Sequence, residues 1–160
     1  MGIKTAIIDD NVLLTLIDEK DKWHPRASVL ARALRENNWK IIYLDCVLNE
    51  VVSVLGRRLE ERKEAKSFRN FSERLEDLVP ESQIEWVYPD APALYSNIMK
   101  MIKENEGRLN FHDALIFLFM REQGLEHIVS FDTDFDEVKK VTRIDNEKEI
   151  KKSVFGNRKK

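Results

Sequence analysis

The 160-residue sequence contains one cysteine, five glycines and no long apolar segment, and each shortage excludes a class of protein. Cys46 alone can form neither an internal disulfide nor a thiolate metal site. The glycines form neither a GxGxxG nor a GxxxxGK(S/T) loop, which argues against a dinucleotide-binding dehydrogenase and a P-loop NTPase. The longest apolar run, residues 114–120, is far shorter than the about 20 residues that cross a bilayer.

The remaining composition is that of one soluble globular domain. Hydrophobic residues make up 42% of the chain and charged residues 35%, a mixture typical of neither a disordered tail nor a membrane protein. The first six residues lack both the apolar stretch of a secretion signal and the Ser/Thr that myristoylation expects at position six. We therefore expect a cytoplasmic protein without a membrane partner.

Charge is distributed unevenly along the chain. The 27 Lys/Arg and 29 Asp/Glu give a formal net charge of -2, which by itself indicates no polyanionic partner. Residues 145–160 carry six Lys/Arg and three Asp/Glu, so this segment is +3 and residues 1–144 are -5. We predict one domain over residues 1–144 and a basic C-terminal tail over residues 145–160. The tail either contacts nucleic-acid phosphates or only adds solubility. Its cations near the end are Lys151, Lys152, Arg158, Lys159 and Lys160.

Short apolar runs alternate with amphipathic helical patterns along the chain. The predicted strands are residues 3–8, 40–44, 84–88 and 127–131, with a candidate fifth at 141–144. Helices are predicted between them. Their signals are residues 12–17 after the turn Asp9-Asp10-Asn11, His24-Pro25, Asp45 as N-cap, the apolar series Phe68, Phe71, Leu75 and Leu78, Asp90-Ala91-Pro92, and residues 111–123 before Gly124. This alternation predicts an α/β fold with a central parallel sheet of four or five strands and helices on both faces.

Acidic side chains recur at the carboxyl ends of these strands. Asp9 ends the first strand, Asp132 and Asp134 follow the fourth, and Asp113 opens the last predicted helix. Glu50 borders the apolar stripe of the third predicted helix. Ligands of open α/β sheets bind beyond the carboxyl ends of the strands. Carboxylate oxygens suit Mg²⁺ or Mn²⁺, and two such ions can clamp the attacking and leaving oxygens of a phosphodiester during hydrolysis.

Each acid also has a purely structural explanation. Asp113 suits the first turn of a helix because of the helix dipole, and Asp132 and Asp134 suit a turn. Asp9 or Asp10 can cap the first helix. Taken singly, each structural explanation is favoured. Taken together, the alignment of the acids with the strand ends favours a site.

Four short motifs follow one another in order between residue 3 and about residue 144. They are IIDDNVL at 7–13, LNEV at 48–51, FHDALI at 111–116 and SFDTDF at 130–135. In combination they resemble the PIN domain, the nuclease family that contains the VapC toxins of toxin–antitoxin pairs. The resemblance implies a Rossmann-like, three-layer α/β/α sandwich with strand order 3-2-1-4-5. It also implies an endoribonuclease that depends on Mg²⁺ or Mn²⁺.

The resemblance also assigns individual residues and partners. The catalytic metal ligands fall on four acids, Asp9, Glu50, Asp113 and Asp132. Asn11 and Ser130 match the family's supporting polar positions, and together with Asp134 we expect them to orient the ligands. Asp10 stands where the family commonly has a small or hydroxyl residue, so the main ligand is either Asp9 or Asp10. RNA is the implied substrate, an antitoxin protein is a candidate partner, and a homodimer is the expected assembly.

Two other functions are compatible with parts of the sequence. The segment Asp9-Asp10-Asn11, which follows a predicted strand, also resembles the acidic pocket of a receiver domain. Such a domain needs an Asp after its third strand and a Lys after its fifth. Here Glu50 lies in a predicted helix and the fourth strand ends in Ser130-Phe131-Asp132, which argues against that function. A PIN scaffold that only binds RNA or protein would have lost metal ligands. None of the four acids is lost, which favours catalysis.

Other polar and aromatic residues are interpreted structurally. His112 is interpreted as a packed or capping residue, because it lies about 100° around the helix from Asp113. The Arg, Lys and Glu residues within 57–69 predict a salt-bridged helix face rather than an RNA groove. Trp23, Trp39 and Trp86 show no spacing that indicates base stacking.

Overall fold

The computed structural model describes the backbone of residues 4–155 and the side chains of residues 4–151. Its sheet has five strands in the order β3-β2-β1-β4-β5, and each pairing is parallel. The strands are β1 (Thr5–Ile8), β2 (Lys40–Leu44), β3 (Ile84–Glu85), β4 (His127–Val129) and β5 (Thr142–Ile144). This order confirms the one that the resemblance implies. It also excludes a receiver-type fold, whose strands run 2-1-3-4-5.

Helices flank the sheet. They are α1 (Asp10–Ile17), α2 (His24–Glu36), α3 (Asp45–Glu61), α4 (Phe68–Leu78), α5 (Ala91–Glu104), α6 (Phe111–Gln123) and α7 (Glu147–Phe155). Consecutive residues Ala6, Ile7 and Ile8 of β1 are all buried. Because successive strand side chains point to opposite faces, both faces of the sheet must be covered. The three-layer α/β/α architecture is thereby confirmed. In the described part of the chain, no helix combines the length and apolarity that a membrane span requires.

The third strand is shorter than predicted, and Asp45 explains why. The prediction extended this strand to residue 88, but β3 ends at Glu85. The backbone N–H groups of Val87 and Tyr88 each donate to the Asp45 carboxylate at 3.0 Å instead of continuing the sheet. The prediction that Asp45 is an N-cap was wrong, since α3 begins at Asp45 and its carboxylate anchors the chain that follows β3.

Helix α6 contains the longest run of consecutive buried residues in the described part of the chain. Residues 114–118 and Met120 are buried, as the apolar run of the sequence predicts. Asn110 caps the helix and Gly124 ends it at φ +64°, a left-handed conformation that glycine adopts without strain. Because Asn110 caps α6, Asp113 lies in the first turn of this helix.

Ion pairs join the start of the 57–69 segment to the turn between α1 and α2. Arg58 Nη1 donates to Asp21 at 2.9 Å, and Arg62 Nη1 donates to the fully buried carboxylate of Asp18 at 2.8 Å. Arg58 and Arg62 are therefore salt-bridged as predicted, but to aspartates of that turn and not to the glutamates of their own segment. Because a buried carboxylate is costly without a partner, the Arg62 contact stabilises the turn.

The segment after residue 144 contains an element that the sequence analysis did not assign. Helix α7 packs against α2, and Ile150 is fully buried. Lys151 pairs with Glu147 one turn earlier at 3.4 Å. Arg158, Lys159 and Lys160 lie outside the described residues, as does the side chain of Lys152. The domain boundary after residue 144 and the role of the tail stay predictions.

Candidate functional site

Asp9 lies where β1 meets α1, and its carboxylate is almost completely buried. The Asp9 N–H donates to the carbonyl of Val129 at 3.0 Å, which extends the β1–β4 pairing and brings Asp9 beside Ser130. Asp9 Oδ1 accepts the backbone N–H of Asp10 at 2.9 Å. Asp9 Oδ2 accepts the Asn11 amide and the Ser130 hydroxyl, both at 2.6 Å. Three donors therefore hold this carboxylate in one orientation.

Asn11 and Ser130 tie the two strand ends together around Asp9. Asn11 Nδ2 also donates to Ser130 Oγ at 3.1 Å, and Asn11 Oδ1 accepts the Phe131 N–H at 3.0 Å. Ser130 Oγ accepts the Asp132 N–H at 3.0 Å. We name Asp9, Asn11 and Ser130 the inner corner. The structure thus brings together the first predicted ligand and the two residues predicted to support it.

Four further carboxylates lie around the inner corner, and we name them the outer carboxylates: Asp10, Glu50, Asp113 and Asp132. Asp113 Oδ2 accepts the Asn110 N–H at 2.9 Å, completing a capping box at the start of α6. Asp132 Oδ1 accepts the Asp134 N–H at 2.9 Å and caps a short 3₁₀ turn. The structural explanations of these two acids therefore hold, yet each uses only one of the two carboxylate oxygens. Asp134 contributes its backbone N–H to this arrangement.

A chain of side-chain hydrogen bonds holds Glu50. Glu50 Oε2 lies 3.1 Å from His112 Nδ1, and His112 Nε2 lies 2.9 Å from the Tyr88 hydroxyl. Asn49 Nδ2 donates to that hydroxyl at 3.1 Å. Because a carboxylate only accepts, the hydrogen must be on His112 Nδ1. His112 is therefore a partner of a candidate ligand, which the sequence analysis did not recognise.

The charges of these carboxylates act on one another. Burial raises the pKa of Asp9 well above its ordinary value, and the charge of Asp10 raises this pKa further. Burial likewise raises the pKa of Asp10, with the charge of Glu50 adding to the shift. Burial raises the pKa of Asp113, and the charges of Asp132 and Asp10 add to it. Asp10 thus connects the inner corner to the other acids.

The donor chemistry fits a hard divalent cation, because every candidate ligand offers carboxylate oxygens. Burial, with neighbouring negative charges adding to it, raises the pKa values of Asp9, Asp10 and Asp113, as expected for carboxylates without a counter-ion. Among the residues that the structure describes, however, no three His, Cys, Asp or Glu side chains are arranged so that they would hold one metal ion. Charge interactions with Asp10 connect Asp9, Glu50 and Asp113, and Asp132 interacts with Asp113. The assignment of these four acids, Asp9, Glu50, Asp113 and Asp132, as metal ligands stays a prediction.

The sequence analysis missed the contributions of His112 and Tyr88 and left that of Asp10 undecided. His112 meets Glu50 across 62 positions of sequence. Tyr88 is placed by the bond of its backbone to Asp45, which is itself 43 positions away. Contacts between residues so far apart in sequence leave no pattern in the local spacing of residue types. The sequence did contain a signal for Asp10. Two adjacent acids, Asp9 and Asp10, stand at the start of α1, but a helix needs only one N-cap residue.

The fold and the site define an α/β protein with a cluster of carboxylates at the carboxyl edge of a parallel sheet. The PIN domain model matches residues 6–141, and the chain belongs to this family. A comparison with curated proteins finds no significant match.

Solved structures similar to this one include VapC toxins. Mycobacterium tuberculosis VapC20, described as a Sarcin-Ricin loop cleaving toxin, has a TM-score of 0.61 and 21% identity, covering 82% of this chain and 92% of its own. VapBC2 from Rickettsia felis, bound to a DNA fragment from its promoter, has a TM-score of 0.58 and 12% identity, covering 88% and 97%. PAE2754 from Pyrobaculum aerophilum has a TM-score of 0.59 and 18% identity, covering 96% and 97%. At these identities, the likeness concerns the fold.

Proposed function

We propose that this protein is an endoribonuclease that hydrolyses RNA phosphodiester bonds with the help of Mg²⁺ or Mn²⁺. The observation that carries the proposal is the buried Asp9 carboxylate, oriented by three donors and surrounded by the outer carboxylates. A buried carboxylate in such company is unfavourable without a cation. Membership of the PIN family supports the same reaction class, as does the similarity to VapC20, which is described as a Sarcin-Ricin loop cleaving toxin.

In this proposal Asp9, Glu50, Asp113 and Asp132 hold one or two divalent ions. Such ions, when bound, stabilise charge on the attacking and leaving oxygens of the phosphodiester. Asn11 and Ser130 keep the Asp9 carboxylate in a fixed orientation, and His112 does the same for Glu50. Two divalent ions would also change the formal charge of residues 1–144 from -5 to -1, which eases the approach of a polyanion.

The proposal extends to protein partners. The similarity to Rickettsia felis VapBC2, which is bound to a DNA fragment from its promoter, supports an antitoxin protein as the candidate partner of this chain. A homodimer is the proposed assembly, and Tyr95, which is 57% exposed, offers apolar surface for it. Light scattering on the purified protein measures the assembly directly, and a monomer at all concentrations would reject the dimer.

Cleavage of a mixed RNA pool with Mn²⁺, with Mg²⁺ and with EDTA tests the reaction. The expected result is cleavage with either ion, none in EDTA, and none with Asp9→Asn. Glu122→Gln is the matched control, because Glu122 is an exposed acid at the far end of α6, nine residues and about 13 Å from Asp113. Cleavage that persists in EDTA would reject the metal-dependent reaction.

One observation favours a second candidate, an RNA-binding scaffold without activity. The described residues do not present three acids arranged for one ion. The same experiment separates the two functions. A scaffold would retain RNA in a filter-binding assay and leave the pool intact with each ion.

A further inference from the structure

An exposed tryptophan lies beside the acidic site. Trp23, in the turn between α1 and α2, is 39% exposed, and its ring centroid lies 5.5 Å from that of Phe131 with 33° between the ring planes. Phe131 stands between Ser130 and Asp132 in sequence, and its N–H donates to Asn11. Phe131, which carries one of the paired rings, is therefore joined through its backbone to Asn11 of the inner corner and precedes Asp132 directly in sequence.

Two cationic side chains, Arg26 and Lys22, lie close to these rings. The Arg26 guanidinium carbon lies 4.9 Å from the centroid of each ring. Arg26 is itself fixed by Asp145, donating to its carboxylate at 2.7 Å and to its carbonyl at 3.0 Å. The Lys22 ammonium lies 5.9 Å from the Trp23 centroid and is exposed. An aromatic surface with adjacent cations matches single-stranded nucleic acid, whose bases stack and whose phosphates are negative.

The turn that carries Trp23 is held by contacts that do not involve its indole. Asp21 Oδ1 accepts the Trp23 backbone N–H at 2.9 Å, and the other Asp21 oxygen accepts from Arg58. His24 Nδ1 lies 2.9 Å from the carbonyl of Thr15. These bonds fix the backbone without using the indole, and Trp23 stays 39% exposed beside Phe131 and Arg26.

We propose that Trp23, backed by Phe131, is a stacking platform for one unpaired RNA base next to the phosphate that is cleaved. This inference rests on the proposed function, and it names a substrate subsite on the β4 side of the acidic cluster. It implies a preference for single-stranded over paired RNA at that position, because a base within a duplex cannot present its face to the indole.

The test compares Trp23→Ala and Trp23→Tyr with Trp86→Ala. Trp86 is the matched control because it is exposed and follows β3, three strands and about 14 Å across the sheet from β4. Loss of one stacked base weakens binding by about 5- to 150-fold, so KM for single-stranded RNA should rise within that range for Trp23→Ala while kcat changes less. Trp23→Tyr should keep most of the affinity and Trp86→Ala should keep all of it. Equal KM values for Trp23→Ala and the wild type would overturn the platform.

An RNA with a single abasic nucleotide, moved along the strand, tests the same contact without altering the protein. The wild type should lose affinity at one position beside the cleavage site, and Trp23→Ala should lose nothing further there. This experiment decides the matter if Trp23→Ala is unstable. Uniform losses at every position would overturn the platform.

Fluorescence anisotropy in the Asp9→Asn background separates this inference from the proposed function. If the wild type does not cleave RNA but Trp23→Ala weakens RNA binding, the platform stands and the nuclease proposal fails. If the wild type cleaves and Trp23→Ala binds RNA equally well, the nuclease proposal stands and the platform fails. Absence of RNA binding by both forms overturns the platform.

Discussion

The inner corner and the outer carboxylates differ in how their polar atoms are satisfied. In the inner corner, Asp9 and Ser130 are buried and joined with Asn11 by hydrogen bonds between 2.6 and 3.1 Å. The outer carboxylates are at least partly exposed, and each of Glu50, Asp113 and Asp132 bonds to a different neighbour. The fold therefore holds the Asp9 carboxylate with three donors and each of these three outer carboxylates with one hydrogen bond.

The largest expected effect comes from Asp9→Asn. Activity should fall by about 10³-fold or more, because an amide cannot supply the charge that a cation requires and the cation provides several kcal/mol of stabilisation. The new amide also meets a donor on either side, from Asn11 or from the Asp10 backbone, so circular dichroism and a thermal melt must accompany the cleavage assay. Undiminished cleavage would remove Asp9 from the site.

His112→Phe should weaken Mn²⁺ binding by about 10- to 100-fold, because Glu50 loses the donor that orients it. His112→Asn should recover part of this loss, since its amide can donate to Glu50. Tyr88→Phe removes a hydroxyl that contacts His112 and not Glu50, so it should weaken Mn²⁺ binding less than His112→Phe does. Tyr95→Phe is the control, and Mn²⁺ affinity measured by calorimetry is the readout. Equal affinities for His112→Phe and the wild type would mean that His112 is only a packed residue.

Ser130→Ala probes the inner corner without removing a charge. The substitution leaves the Asp132 N–H without its acceptor and Asp9 without one donor, so the free energy of unfolding should fall by about 1–3 kcal/mol. Ser53→Ala, at an exposed hydroxyl on α3, should change it by less than about 0.5 kcal/mol. Urea unfolding in EDTA measures both. Similar values for the two variants would show that the inner corner contributes no special stability.

The pH dependence of stability without metal reports on the outer carboxylates. The folded pKa values of Asp10 and Asp113 are raised above the ordinary 3.8, so at these two groups the folded state binds more protons than the unfolded state as the pH falls toward 3.8. Stability in EDTA should therefore rise as the pH falls from neutral toward about 4. Asp145 acts in the opposite sense, since its pKa is lowered, and its stabilisation is lost below 3.8. A melting temperature that falls steadily from pH 8 to pH 5 would contradict this sign.

Asp113→Asn should change stability least. Without metal, its melting temperature should equal or exceed that of the wild type, because one repelling charge is removed while the amide oxygen can still accept from Asn110. The stabilisation by added Mn²⁺ should shrink. If Asp113 served only the helix dipole, the variant would lose a few tenths to about 1 kcal/mol and keep the full response to Mn²⁺. Thermal melts across a Mn²⁺ titration distinguish these cases.

The fold and the inner corner were predictable because they follow from local patterns. A buried run followed by an acid predicts both the end of β1 and the position of Asp9, and parallel pairing then places Ser130 beside it. The contacts of Glu50 and Trp23 were not predictable in this way. Glu50 meets His112 only because the tertiary structure brings a residue of α3 close to the first turn of α6, and Trp23 meets Phe131 only through the path of a turn.

Mn²⁺ binding measured by isothermal titration calorimetry tests most directly whether the inner corner and the outer carboxylates form one cation site. The wild type should bind one or two ions saturably. Asp9→Asn, Glu50→Gln and Asp132→Asn should each weaken binding by about tenfold or more, while Glu61→Gln, at an exposed acid near the end of α3, should stay close to the wild type. If Asp9→Asn binds Mn²⁺ as tightly as the wild type does, these residues do not form a cation site together.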